Sequence, residues 1–334
     1  MSVSYTSIGW NPAKRAYDVT IGVGLLVYLG LFAGVAAIAH ADATIETILI
    51  RALATAAFLM LHVILSIGPL CRLSPRFLPL LYNRRHLGVT MFFVATAHAV
   101  FAIVQFHAQG NVNPLVSLLT TGTGFQTFGL VALLILFFMA ATSHDFWLHN
   151  LSPRIWKTLH MGVYLAYASI VVHVAAGALR SESHPVLAIV TGVGMVWLLA
   201  LHVIAGLRER AGDADAALID DDWIDAGRVE DIPDGRARVV CSGERIAVFR
   251  YHGKVSAVSN VCRHQNGPLG EGRVIDGCIT CPWHGYQYSP ENGRSPAPFT
   301  EKVATFDVRV VGGRAYVNRN GHAPGTPVEP ARVG

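Results

Sequence analysis

The chain changes texture once along its length. Up to about residue 207 long apolar runs alternate with short polar loops, and from Arg208 onward short strand-like stretches are punctuated by glycine. Six of the apolar runs, over about 19–40, 46–70, 86–107, 124–143, 156–179 and 185–207, reach the roughly 20 residues that a hydrocarbon core demands. None keeps the charged face of a helix packed on a soluble core. The first run, behind Lys14 and Arg15 and ahead of Ala39-His40-Ala41, also has the outline of a signal peptide. Its apolar core is longer than that role needs, and it is read as a helix. In the second half RARVVCSGERIAVFRYHGKVSAVSN predicts a three-strand meander turning at Ser242-Gly243 and His252-Gly253. VATFDVRVVGGRAYVN predicts a hairpin closed by Gly312-Gly313. The predicted fold is therefore a membrane all-α six-helix bundle, residues 1–207, a linker over 208–221, a small all-β domain over 222–320 and a disordered tail over 321–334.

Composition agrees with the apolar half: mean hydropathy is +0.42 and only 14% of residues are charged, far from an ordinary soluble protein. The net charge of +4 comes largely from loops beside the apolar runs. It speaks to membrane orientation, and no nucleic-acid partner is expected. Arg72, Arg76, Arg84 and Arg85 follow the second run, Arg154 and Lys157 precede the fifth, and Arg208 and Arg210 leave the sixth. The opposite loops hold almost no Lys or Arg. By the positive-inside rule both termini and the β domain face the cytoplasm, in an inner (cytoplasmic) membrane crossed six times. The N-terminus shows no twin-arginine signal for exporting a folded metal domain.

Ionisable side chains at membrane depth are costly and usually functional. His62 falls in the second run, His98 in the third, His160 and His173 in the fifth and His202 in the sixth. One such imidazole can simply bond a neighbouring helix; five favour a shared purpose. A b-type haem, held between two imidazoles on facing helices, supplies it. His160 and His173 are thirteen residues apart, about 20 Å along a helix, so one or two haems are expected. Counting from the cytoplasmic ends makes His98 and His173 the outer pair. The inner site takes His160 with His62 or His202, His62 being preferred, and His86 lies at the mouth of the third run.

RRHLGVTMFFVATAHA, from Arg84, and RIWKTLHMGVYLAYASIVVHV, from Arg154, resemble helices of the ferric-reductase-like transmembrane domain. Within it the likeness is to the haem-binding membrane subunit of the methionine sulfoxide reductase system. The resemblance spans roughly residues 45–205 and implies that His98, His160 and His173 bind haem. His62 and His202 have no counterpart in that subunit. Some members also bind flavin, for which this sequence offers no independent sign.

Two boxes stand out in the second half: Cys262-Arg-His264 and Cys281-Pro-Trp-His284, with sixteen residues between them. Thiolates and imidazoles together suit zinc or an iron-sulfur centre. Five cysteines in no paired pattern point to a reducing compartment. A structural zinc site can be drawn from Cys262, Cys278, Cys281 and His264. The alternative is a resemblance, over residues 222–318, to a Rieske 2Fe-2S domain, which implies Cys262 and Cys281 on one iron, His264 and His284 on the other, and Cys278 as a bystander. The extra cysteine pair and the cluster-facing serine of respiratory Rieske proteins are missing here: Trp283 and Tyr286 stand at two of those places, while Tyr288 matches a tyrosine that bonds a ligand sulfur. With fewer hydrogen bonds to the sulfurs, a lower potential is expected. Too few residues follow for the catalytic domain of a Rieske oxygenase.

The joint expectation is a transmembrane electron wire, from a cytoplasmic reductase through the cluster and one or two haems to an unnamed acceptor outside. No dinucleotide-binding domain is seen, so the donor is expected to be another protein. The rival expectations are a quinol-linked protein that delivers electrons to a cytoplasmic partner, and a redox sensor.

Overall fold

The structure is a computed structural model that describes residues 12–333 apart from 40–41, 78–79, 81–83, 109–112, 123, 145–146, 148–150, 152, 182–184, 213–217, 221, 265–266, 283–284 and 298. It divides into two compact units, Trp10–Ala205 and a second that runs from Gly206 to the C-terminus.

Among the described residues the first unit holds six long helices: α1 (Pro12–Ala39), α2 (Ile45–Leu73), α3 (Arg84–His107), α4 (Gly124–Ala141), α5 (Pro153–Ala176) and α6 (Val186–Gly212). All six are long and apolar enough to cross a membrane, as expected from the runs. Helix α2 is the hub. It starts at Thr44, whose hydroxyl accepts from the Thr47 amide, and its small residues Ala52, Ala56 and Ala57 are buried, which lets neighbouring backbones approach. Leu61 and Leu65 of α2 meet Leu87 and Met91 of α3, Ala132 and Leu136 of α4, Val163 and Ala166 of α5 and Leu198 of α6 in one core. Lipid gives little drive to bury apolar surface, so polar bonds matter between these helices. Tyr28 donates to Thr55 at 2.8 Å, joining α1 to α2, and Trp197 Nε1 donates to Ser66 Oγ at 3.0 Å, joining α6 to α2.

The second unit is all β, with three small antiparallel sheets among the described residues. The first runs β1 (Leu218–Asp220), β2 (Trp223–Arg228), β11 (Arg314–Asn318), β10 (Val308–Val311). The second runs β12 (Ala331–Arg332), β5 (Lys254–Ser259), β4 (Glu244–Tyr251), β3 (Arg236–Ser242), with β9 (Thr305–Phe306) also on β5. The third is β6 (Arg273–Ile275), β7 (Cys278–Thr280), β8 (Gln287–Tyr288). The meander and the hairpin fall where the glycine turns place them. His252 and Gly253, at φ 47° and 70°, and Gly312 and Gly313, at 56° and 73°, are paired left-handed residues of the kind that close two-residue hairpins. Strand β4 is buried on both faces: Ile246 and Val248 enter one core, Ala247 and Phe249 the other, as the period-two geometry of a strand requires.

Two boundaries differ from expectation. The linker is shorter than 208–221, because α6 continues to Gly212 and β1 already pairs with β2. Residues 321–333 are not a disordered tail. The amide of Val328 donates to Glu291 O and that of Gly325 to Val303 O, Ala331 pairs with Val255, and Val333 packs on the core. Composition misled here: a polar, proline-rich segment can be ordered by main-chain bonds when an open strand edge is available, and β5 offers one. Truncation after Asn320 should lower the thermal midpoint of the β unit by about 5–10 °C, followed by circular dichroism in the β region. An unchanged midpoint would show that the strap contributes nothing.

Candidate functional site

Both cysteine boxes lie on closed loops whose ends are pinned by backbone bonds. The first follows β5: the Cys262 amide donates to Gly267 O at 2.9 Å, Val261 bridges Pro268, and the buried Asn260 side chain accepts from the Gly270 amide. The second joins β7 to β8: the Cys281 amide donates to Tyr286 O and the Gly285 amide to Cys281 O, both at 2.8 Å. Gly285 has φ 70°, a left-handed position suited to glycine. Cys262 and Cys281 are 1% and 2% exposed and share one core with Tyr286 and Tyr288. The Tyr288 hydroxyl accepts from the Arg263 amide at 3.0 Å and lies 3.4 Å from Cys262 Sγ. With its lone pair engaged by the amide, its own proton is directed to sulfur. Burial first, and the neighbouring Cys262 second, push its phenol pKa far up, so it stays a donor. His264 is half-buried and stacks on Tyr286, with centroids 4.8 Å and planes 11° apart. His284, with Trp283, lies outside the described residues. Two buried thiols, a nearby imidazole and a phenol aimed at sulfur fit an iron-sulfur donor set.

In the membrane unit His98 and His173 come together. Their ring centroids are 6.4 Å apart at 78°, close to what two imidazoles need when each reaches one metal through a bond of about 2 Å. His98 Nδ1 donates to Ile50 O of α2 at 3.0 Å, and His173 Nδ1 to Phe125 O of α4 at 2.8 Å. With Nδ1 occupied, each ring keeps its Nε2 lone pair for a ligand. Room for His173 depends on Gly129, where a Cβ would stand 2.8 Å from its Nδ1.

The other three histidines are not assembled into a second pair. His160 Nδ1 bonds Trp156 O, its ring stacks on Trp156 at 3.7 Å, and Nε2 lies 3.5 Å from Ser143 Oγ. His62 receives the Tyr167 hydroxyl on Nε2 at 3.0 Å, and His202 receives that of Tyr164 at 3.1 Å. Tyr167 is seven residues beyond His160, about 10 Å along α5, and it is Tyr167 that meets the His62 ring. Among the described residues no ring contact joins His160 to His62 or His202. His86 instead pairs with Asp18 of α1 at 2.8 Å. A buried residue not singled out from sequence is His107, whose Nδ1 donates to Ser117 Oγ and whose Nε2 accepts from Gln126. Its signal was a histidine at the end of an apolar run.

Comparison with known proteins bears on both halves. Residues 222–307 match the family model of the Rieske 2Fe-2S domain, and residues 51–171 match that of the ferric reductase like transmembrane component. The β unit is 32% identical over 99 residues to the anthranilate 1,2-dioxygenase ferredoxin subunit of Burkholderia cepacia, covering 92% of that protein and 29% of this chain. The chain belongs to the Rieske 2Fe-2S family. Its Rieske domain is also 31% identical over 100 residues to the ferredoxin component of the alkene monooxygenase system of Xanthobacter autotrophicus, covering 82% of that protein and 29% of this chain. A solved structure, the complex of reduced oxygenase and oxidized ferredoxin in carbazole 1,9a-dioxygenase, is similar at 26% identity and TM-score 0.29, over 31% of this chain and 99% of that one.

Within the Rieske domain Cys278 lies on a strand and outside the loops of the two boxes. It sits on β7 in register with Ile275, and burial, followed by Asp276, raises its thiol pKa, which disfavours the thiolate that metal binding needs. Cys278→Ser should keep full iron content and the Rieske electron paramagnetic resonance signal, whereas Cys262→Ser and Cys281→Ser should abolish both. Loss of the signal in the Cys278 variant, or zinc in place of iron, would contradict the ligand assignment.

Proposed function

We propose that the chain carries electrons one at a time from a cytoplasmic reductase, across the inner membrane, to an acceptor on the outer side. A redox role follows from the two domains themselves; the direction, the sidedness and the haems are the proposal. A Rieske cluster and b-type haems, when bound, supply compatible one-electron carriers. The observation that carries the reading is the His98 and His173 pair, 6.4 Å apart with each Nδ1 tied to a carbonyl of another helix. Such a pair can hold an outer haem, and His160 marks the level of an inner one. The likeness to the haem-binding subunit of the methionine sulfoxide reductase system supports the same ligands and an outward flow. Arginines concentrated in the loops on one side support a cytoplasmic Rieske domain.

The Rieske residues support the direction. Tyr286, at the place of the serine that bonds the cluster sulfur in respiratory Rieske proteins, gives its hydroxyl to Glu301, so that bond is missing and a low-potential entry point is favoured. The relatives are named ferredoxins of oxygenase systems, in keeping with a domain that receives electrons from a soluble reductase.

Dithionite-reduced membranes that contain the protein should show b-type haem absorption together with a Rieske resonance. His98→Ala and His173→Ala should each remove the same haem component and leave the resonance intact. An unchanged haem spectrum in either variant would sink the pairing.

A further inference from the structure

Tyr286 is 3% exposed, and its hydroxyl donates to the Glu301 carboxylate. Its ring lies nearly parallel to the His264 imidazole, 4.8 Å away, while Phe299 at 4.9 Å and Tyr288 at 5.5 Å wedge against the same ring. Glu301 is itself held in place: the same carboxylate oxygen accepts from the Thr300 amide at 3.1 Å, and its main-chain carbonyl accepts from the Ser295 amide at 3.0 Å. A carboxylate is thus fixed one aromatic ring away from His264, and that ring is buried.

We infer that Tyr286 and Glu301 are a positioning pair for His264, the tyrosine fixing the plane of the ligand ring and the glutamate holding a negative charge that lowers the reduction potential of the cluster. The stack restricts rotation of the imidazole, and groups behind a ligand tune the metal it binds. Reduction adds one negative charge to the centre, and a fixed carboxylate opposes that charge more strongly across a buried ring than across water. The pair acts in the same direction as the missing serine bond. The inference rests on the electron-carrier reading of the Rieske domain.

The test is a redox titration of the full-length protein, read by the Rieske resonance. Glu301→Gln keeps the length and an acceptor for the Tyr286 hydroxyl but removes the charge; it should retain the signal and raise the midpoint potential, and Glu301→Asp should stay near the wild-type value. A Glu301→Gln potential equal to wild type, with the signal intact, overturns the inference. Should Glu301→Gln lose its cluster, Tyr286→Phe and Tyr286→Leu decide: phenylalanine keeps the stack and the wild-type g-values, leucine shifts them, and identical spectra from the two overturn the positioning role. Absence of a Rieske signal in the wild type would instead overturn the electron-carrier reading.

Discussion

An imidazole in hydrocarbon has two nitrogens to satisfy and no water to help. How each membrane histidine meets that constraint separates the ligand candidates. His62, His160 and His202 donate Nδ1 to the carbonyl four residues back on their own helix. That bond forms whatever the neighbours do. His98 and His173 donate to carbonyls of other helices, so their orientation depends on the assembled bundle. A carbonyl oxygen has two lone pairs, and Ile50 and Phe125 can accept this second bond while keeping their helical one. Tertiary structure thus fixes these two rings 6.4 Å apart, the one histidine pair in ring contact among the described residues.

The Rieske domain solves a related problem with hydroxyls. Tyr288 stays protonated beside Cys262 because burial and the nearby sulfur both oppose its ionisation, and Tyr286 does so between His264 and Glu301. One phenol serves the sulfur side of the site and the other the imidazole side. The loops that carry the two cysteine boxes are pinned by main-chain bonds around each cysteine, so the fold itself sets the positions of Cys262 and Cys281.

Much of this was legible in the chain. Six apolar runs became six helices because length and apolarity suffice in a bilayer, and the hairpins fell at His252-Gly253 and Gly312-Gly313 because few residues other than glycine adopt a positive φ cheaply. That His98 and His173 approach each other was legible from their matching depths in two apolar runs, and their rings lie 6.4 Å apart. The Tyr167 partner of His62 was not legible: depth counted in residues ignores which face of α2 meets which helix. Glu301 was invisible for a like reason, since it is fifteen residues from Tyr286 and joins it only through the fold. The strap after Asn320 was missed because its order comes from main-chain bonds to β5 and to the loop at Glu291, which side-chain composition does not register.

The central claim is that one chain joins the Rieske side of the membrane to the opposite side by an electron path. Vesicles that hold the purified protein, with ferricyanide trapped inside and the Rieske domain outside, test it most directly. A membrane-impermeant reductant added outside should reduce the trapped ferricyanide well above the rate of protein-free vesicles, and the His173→Ala protein should not. Trapped acceptor that stays oxidised while the external cluster is fully reduced would contradict the account.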